Sequence, residues 1–110
     1  MKKIIFINKS LDNLKQFPLV ERREAGHQLD MVQRGHNPID YKPMASVGMG
    51  VKEIRIKDSD GIYRVMYVAK FEEAVYVLHA FKKKTQKTSA HDINAAKTAF
   101  KQMLEERRHE

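Results

Sequence analysis

Between Val51 and Phe81 three β-type runs follow one another at hairpin spacing, and this succession constrains the fold more than any other part of the chain. The first, VKEIRIK, alternates: Ile54 and Ile56 share one face, and Glu53, Arg55 and Lys57 share the other. Asp58-Ser59-Asp60-Gly61 is a turn sequence in which Gly61 is free to take positive φ. The second run, Ile62 to Lys70, puts Ile62, Arg64, Met66 and Val68 on one side and Tyr63, Val65 and Tyr67 on the other, so both faces are apolar enough to be covered. Phe71-Glu72-Glu73 then leads into the third run, Ala74 to Phe81. Three strands joined this tightly imply an antiparallel meander.

The flanking segments supply what covers it. Lys3 to Ile7 reads as a short first strand. Ser10 stands at a helix N-cap position, with Asp12 in the first turn and Leu11, Leu14 and Phe17 as an apolar stripe. Pro18 suits the first turn of a second helix that carries Ala25, Leu29 and Val32 on one face and stops at Gly35. From His36 to Gly50 the chain reads as irregular, with Pro38, Pro43, Gly48 and Gly50; a loop this long is either functional or a packed crossover. Thr88 or Ser89 caps a last helix with Asp92 in its first turn, Ile93, Ala96, Phe100 and Met103 on one face, and Arg107 and Arg108 near its end. The expected class is α+β: an antiparallel sheet of about four strands with two N-terminal helices and a C-terminal helix. Helices on one face of the sheet satisfy the apolar stripes. The first strand is expected antiparallel, at one edge or beside the second strand. With 110 residues, 42% of them hydrophobic, residues 1–110 form a single domain.

Charge and absent motifs narrow the function. A formal charge of +7 makes an anionic partner the natural expectation. The absence of cysteine excludes a disulfide framework and thiolate metal sites, and fits a reducing compartment. MKKIIFIN is too short for a signal-peptide core, so a soluble cytoplasmic protein with no membrane association is expected. His27, His36, His79, His91 and His109 are scattered and suggest no metal site, and MASVGMGV lacks the lysine of a nucleotide-binding loop. No cofactor is expected.

What remains is a basic surface. The stretch VYVLHAFKKKTQKT, Val75 to Thr88, passes from a buried strand straight into Lys82, Lys83, Lys84 and then Lys87. Such lysines serve either to protect a sheet edge or to receive phosphate. Arg64, a charge among apolar neighbours, needs a partner or a ligand, and Glu53 is the candidate partner. Alternation suggests that Arg55, Arg64 and Lys82 to Lys84 converge on neighbouring strands. Tyr63, Tyr67, Tyr76 and His79 are rings available for stacking or proton transfer, although strand rings mostly serve packing.

Taken together, Glu53-x-Arg55, Gly61-x-Tyr63-Arg64-Val65-x-Tyr67, Val75 to Thr88 and a following helix near an acidic residue resemble the RelE/ParE toxin superfamily. The likeness covers Val51 to Leu104 and is greatest to the HigB-like, phage-derived branch of type II toxin–antitoxin toxins. It implies a small RelE-like fold and a metal-independent endoribonuclease, an mRNA interferase that cuts messages on the ribosome. A cognate helix-turn-helix antitoxin is the implied partner, beside mRNA and the ribosome, with the toxin a monomer or part of a toxin–antitoxin complex. By the resemblance, Arg64 contacts the scissile phosphate, Arg55 contacts RNA or transition-state charge, and Lys82 and Lys83 are catalytic. Lys57, Lys84 and Lys87 then hold RNA, and Glu53, Tyr63, Tyr67 and His79 support the site. The chain departs from the pattern in its ending: EERRHE continues a helix where related toxins carry a tyrosine or an Asp-Tyr-His catalytic group. The same superfamily also includes gyrase-poisoning toxins without nuclease activity, and an inactive phage-derived partner-binding domain would keep the same motifs.

Overall fold

The computed structural model of the chain describes residues 1–83 and 87–109. The meander forms as its alternation requires: β3 (Val51–Asp58), β4 (Gly61–Val68) and β5 (Ala74–Lys83) pair antiparallel in sequence order. The Asp58–Gly61 pair closes the first hairpin, with Gly61 at φ 156°. β5 runs two residues further than its apolar pattern and takes in Lys82 and Lys83.

Two further strands complete a five-stranded sheet of order β1-β5-β4-β3-β2. β1 (Lys3–Phe6) lies beside β5 and runs parallel to it, Lys3 opposite Ala74 and Phe6 opposite Val77, which corrects the antiparallel expectation. The meander leaves an outer edge of β5 open, and the helices between β1 and the meander carry the chain back across one face, so the strand rejoins in the parallel sense. β2 (Tyr41–Pro43) lies within the segment that reads as irregular and pairs antiparallel with β3. Three residues are too few for an alternation signal, and Pro43 is tolerated because the strand is an edge.

The helices are α1 (Ser10–Lys15), α2 (Leu19–Gln33) and α3 (Ala90–Arg108). They cover both faces of the sheet, not one. On one side Leu14, Phe17, Ala25, Leu29 and Val32 pack against Ile54, Ile56, Tyr63, Val65, Tyr67, Val75 and Val77. On the other, Ala96, Ala99 and Met103 of α3 pack against Val51, Met66, Val68, Tyr76 and Leu78. A central strand apolar on both faces demands this double cover. Gly35 ends α2 at φ 90°, and Ser89 caps α3 by accepting from the Asp92 N–H. Ser10 is not a cap: Lys9 holds that position, and the buried Ser10 hydroxyl donates to the Val77 carbonyl at 3.0 Å, stitching α1 to β5.

Candidate functional site

β1 ends opposite Val77, so the outer edge of β5 from His79 to Lys83 has no partner strand among the described residues. At this point β5 also carries a bulge: Met66 pairs His79 while Tyr67 pairs Val77, leaving Leu78 as the extra residue. A bulge reverses the side on which every later side chain emerges. Leu78 and His79 consequently both face α3, Phe81 and Lys83 follow on that side, and Lys82 turns to the face of α1 and α2.

The consequence is a polar cluster at the start of α3. The His79 Nε2 lies 2.9 Å from Asp92 Oδ1, and the ring stacks on Phe81 with centroids 4.9 Å apart. Asp92 Oδ2 accepts from the Ser89 hydroxyl at 2.8 Å and stands 3.9 Å from the Lys83 ammonium. A single carboxylate thus fixes one nitrogen of the imidazole and neighbours a lysine, which leaves the other ring nitrogen for a proton. His79 is 11% exposed at the side chain. It lines two adjoining clefts, of about 420 and 720 Å³, that share Asn13 and His79. Together they form one trough along the open edge of β5, from Tyr63 and Lys82 at one end to His91 and Thr98 of α3 at the other.

Lys82 stands at that first end. Its ammonium lies over the Tyr63 ring, 5.3 Å from the centroid, and 3.7 Å from Asp60. A hydrogen bond with the Tyr63 side chain, and then the charge of Asp60, hold its pKa above the ordinary lysine value. Lys82 is therefore a fixed positive charge at neutral pH and not a base. Tyr63 is itself buried against Phe17, with centroids 4.9 Å apart, and packs while it positions Lys82.

The remaining sequence candidates are dispersed. Arg64 and Glu53 are both 0% exposed and form an ion pair beneath the α3 side of the sheet; Thr88 reaches Glu53 Oε2 at 3.4 Å. Arg55 sits directly opposite Arg64 in register but turns to Asp40, 3.3 Å from Arg55 Nη2. The structure therefore does not gather Arg55, Arg64 and Lys82 at one point, because the bulge sends Lys82 to the other face. Lys57 is exposed at the end of β3, Lys87 is exposed before α3, and Lys84 lies outside the described residues. Tyr67 is buried at the opposite end of β4 from Tyr63. Asp92 as the partner of His79 is the contact at this candidate site that sequence reasoning missed. Its acidic side chain in the first turn of α3 is legible, but nothing local connects it to a histidine 13 residues away on a strand. No group of three or more histidine, aspartate or glutamate side chains among the described residues is placed to hold a metal ion, and no helix among them is long and apolar enough to cross a membrane.

Comparison with curated proteins finds no match. A family described as phage-derived protein Gp49-like (DUF891) matches residues 12–101, from within α1 through most of α3, and so takes in His79, Lys82 and Asp92. That family is RelE/ParE-like, in keeping with the resemblance carried by the strand motifs. On this match, which spans far more than half of its length, the chain belongs to the phage-derived Gp49-like family.

Proposed function

We propose that this chain is the toxin of a toxin–antitoxin pair and that it cleaves mRNA on the ribosome without a metal ion, in the manner of the HigB-like branch. The observation that carries this reading is the placement of His79, oriented by Asp92, in one trough with Lys82. RNA contains its own nucleophile, so the protein has to move protons and stabilise charge. In the proposed step the His79 imidazole takes the proton from a ribose 2′-hydroxyl as its oxygen forms a bond to phosphorus. The bond from phosphorus to the 5′-oxygen breaks, and Lys83 gives the departing oxygen a proton that it later recovers from water. The products are a 2′,3′-cyclic phosphate and a 5′-hydroxyl. Asp92 stabilises the imidazolium, and Lys82 offsets charge on the pentacovalent phosphorus. Arg64 and Glu53 hold the sheet beneath this site, while Arg55, Lys57, Lys84 and Lys87 supply docking charge for RNA. A helix-turn-helix antitoxin would have to cover the trough to silence it.

The test compares wild-type protein with His79→Gln and Lys82→Ser/Lys83→Ser, each of verified fold, by mapping mRNA 5′ ends after induction. Removal of a general base is expected to lower cleavage by about 10²–10⁴-fold. Undiminished cleavage in His79→Gln would remove His79 from the chemistry. DNA damage without mRNA cuts would replace the whole reading with a gyrase poison.

A further inference from the structure

A second basic cleft lies at the far end of the sheet, where Tyr67 pairs Lys52, well away from the end where Tyr63 pairs Lys82. It encloses about 320 Å³, near the lower limit for small-molecule sites. Lys2, ahead of β1, Lys52 of β3 and Lys70, after β4, all line it, with His36 and Asn37 at the turn after α2. No carboxylate lines it.

Two observations bear on what this cleft can hold. The first is the state of its lysines. Lys2, Lys52 and Lys70 stand in no ion pair among the described residues, as is also true of lysines elsewhere such as Lys42 and Lys57, but here three of them line one concavity. Their contacts are to uncharged groups. Lys2 Nζ donates to the Ala69 carbonyl at 2.5 Å, Lys52 Nζ reaches Asn37 Oδ1 at 3.4 Å, and Lys70 Nζ lies 5.2 Å from the centre of the Phe71 ring. Three ammonium groups brought to one concavity with no counter-charge raise its potential and repel one another, and an anion relieves both effects.

The second is Tyr67, which forms part of the wall and is 1% exposed. Its hydroxyl makes no hydrogen bond among the described residues and is not among their enclosed polar atoms left unpaired, so it keeps contact with the solvent of the cleft. Burial, and then the neighbouring Tyr41, push its pKa well above the usual phenol value, so the group is a neutral donor at any physiological pH. A donor that waits beside three unneutralised ammonium groups fits an oxygen anion.

We propose that this cleft is a phosphate-binding site, distinct from the trough at His79, in which Lys2, Lys52 and Lys70 supply charge and the Tyr67 hydroxyl donates to a phosphoryl oxygen. The phosphate can arrive on an RNA strand or on a free mononucleotide, since the recognised chemistry is the same. The site does not depend on whether the trough cleaves RNA.

Titration of the ¹⁵N-labelled full chain with inorganic pyrophosphate, with adenosine 5′-monophosphate and with a short oligouridylate tests it. Saturable shifts are expected at the amides of Gly35, Gly50 and Ala69. Lys52→Ser/Lys70→Ser, both surface changes, is expected to weaken pyrophosphate binding about tenfold or more, and Tyr67→Phe several-fold with the ring retained. Saturation by the mononucleotide identifies a free nucleotide as sufficient; saturation by the oligomer alone identifies the strand. Shifts that stay linear, that persist unchanged in both variants, or that appear only at His79 to Lys83 would overturn the proposal.

Discussion

Arg64 illustrates how a residue's surroundings decide its role. A guanidinium with no solvent exposure, paired with an equally buried carboxylate, is held there because leaving either partner alone inside the sheet is costly. Arg64→Ala or Glu53→Ala is expected to destabilise the fold by about 3–5 kcal/mol, since each breaks a buried ion pair by removing one side of it. Urea unfolding measures this, and a change below about 1 kcal/mol would show that the pair is solvated in solution. Under the proposed function, any loss of toxicity in Arg64→Ala has to be separated from unfolding, which makes His79 and Lys82 the better probes of the proposed chemistry. The Arg64–Glu53 pair is legible in the sequence because a lone charge in an apolar strand requires a partner. The His79–Asp92 contact is not, because neither residue is unusual in its own element.

Among the elements, α3 shows what fixes one layer on another. Its C-terminal Arg107 donates from Nε to Glu73 at 2.6 Å and stacks on Phe71 at 3.5 Å, while the Tyr76 hydroxyl donates to the same carboxylate at 2.7 Å. The Arg107 hydrogen bond, with that of Tyr76 behind it, holds the Glu73 pKa down to about 2 from an ordinary 4.5. The folded value lies below the unfolded one, so this contribution to stability is present above about pH 4.5 and is lost as pH falls toward 2. Protection of the amides near Arg107, taken relative to their intrinsic exchange rates at each pH, should fall as pH drops across that window in wild type and be low throughout in Arg107→Ala; equal protection at both ends would exclude the clamp. At the other side of α3, the loop before β3 approaches so closely that a Cβ on Gly48 would fall 2.7 Å from the Phe100 ring. Gly48→Ala must displace that ring and is expected to cost about 1–3 kcal/mol, as overpacking does. An unchanged melting curve would contradict the tight approach.

For the whole molecule, the net charge is +7, and two of its basic clusters lie apart: Lys82 and Lys83 at the end of β5, and Lys2, Lys52 and Lys70 at the second cleft. If Lys82 and Lys83 meet RNA phosphates, replacing both by serine should flatten the dependence of log K on log salt by about 0.7 per lysine for a single strand. Fluorescence anisotropy at several salt concentrations measures the slope, and a parallel line would place the phosphates elsewhere. The sequence by itself determined the meander, the three helices, the double-sided burial of β4 and the basic end of β5. Each of these follows from alternation, helical periodicity or a cap, which are local consequences of backbone geometry. Only the tertiary structure decided that β1 joins β5 in parallel, that β2 exists, that a bulge at Leu78 sets which face Lys82 and which face Lys83 takes, and that Asp92 meets His79 while Tyr67 closes a distant cleft. Those facts depend on where separate elements settle against one another, and a contact between residues far apart in the chain leaves no periodic trace in either segment.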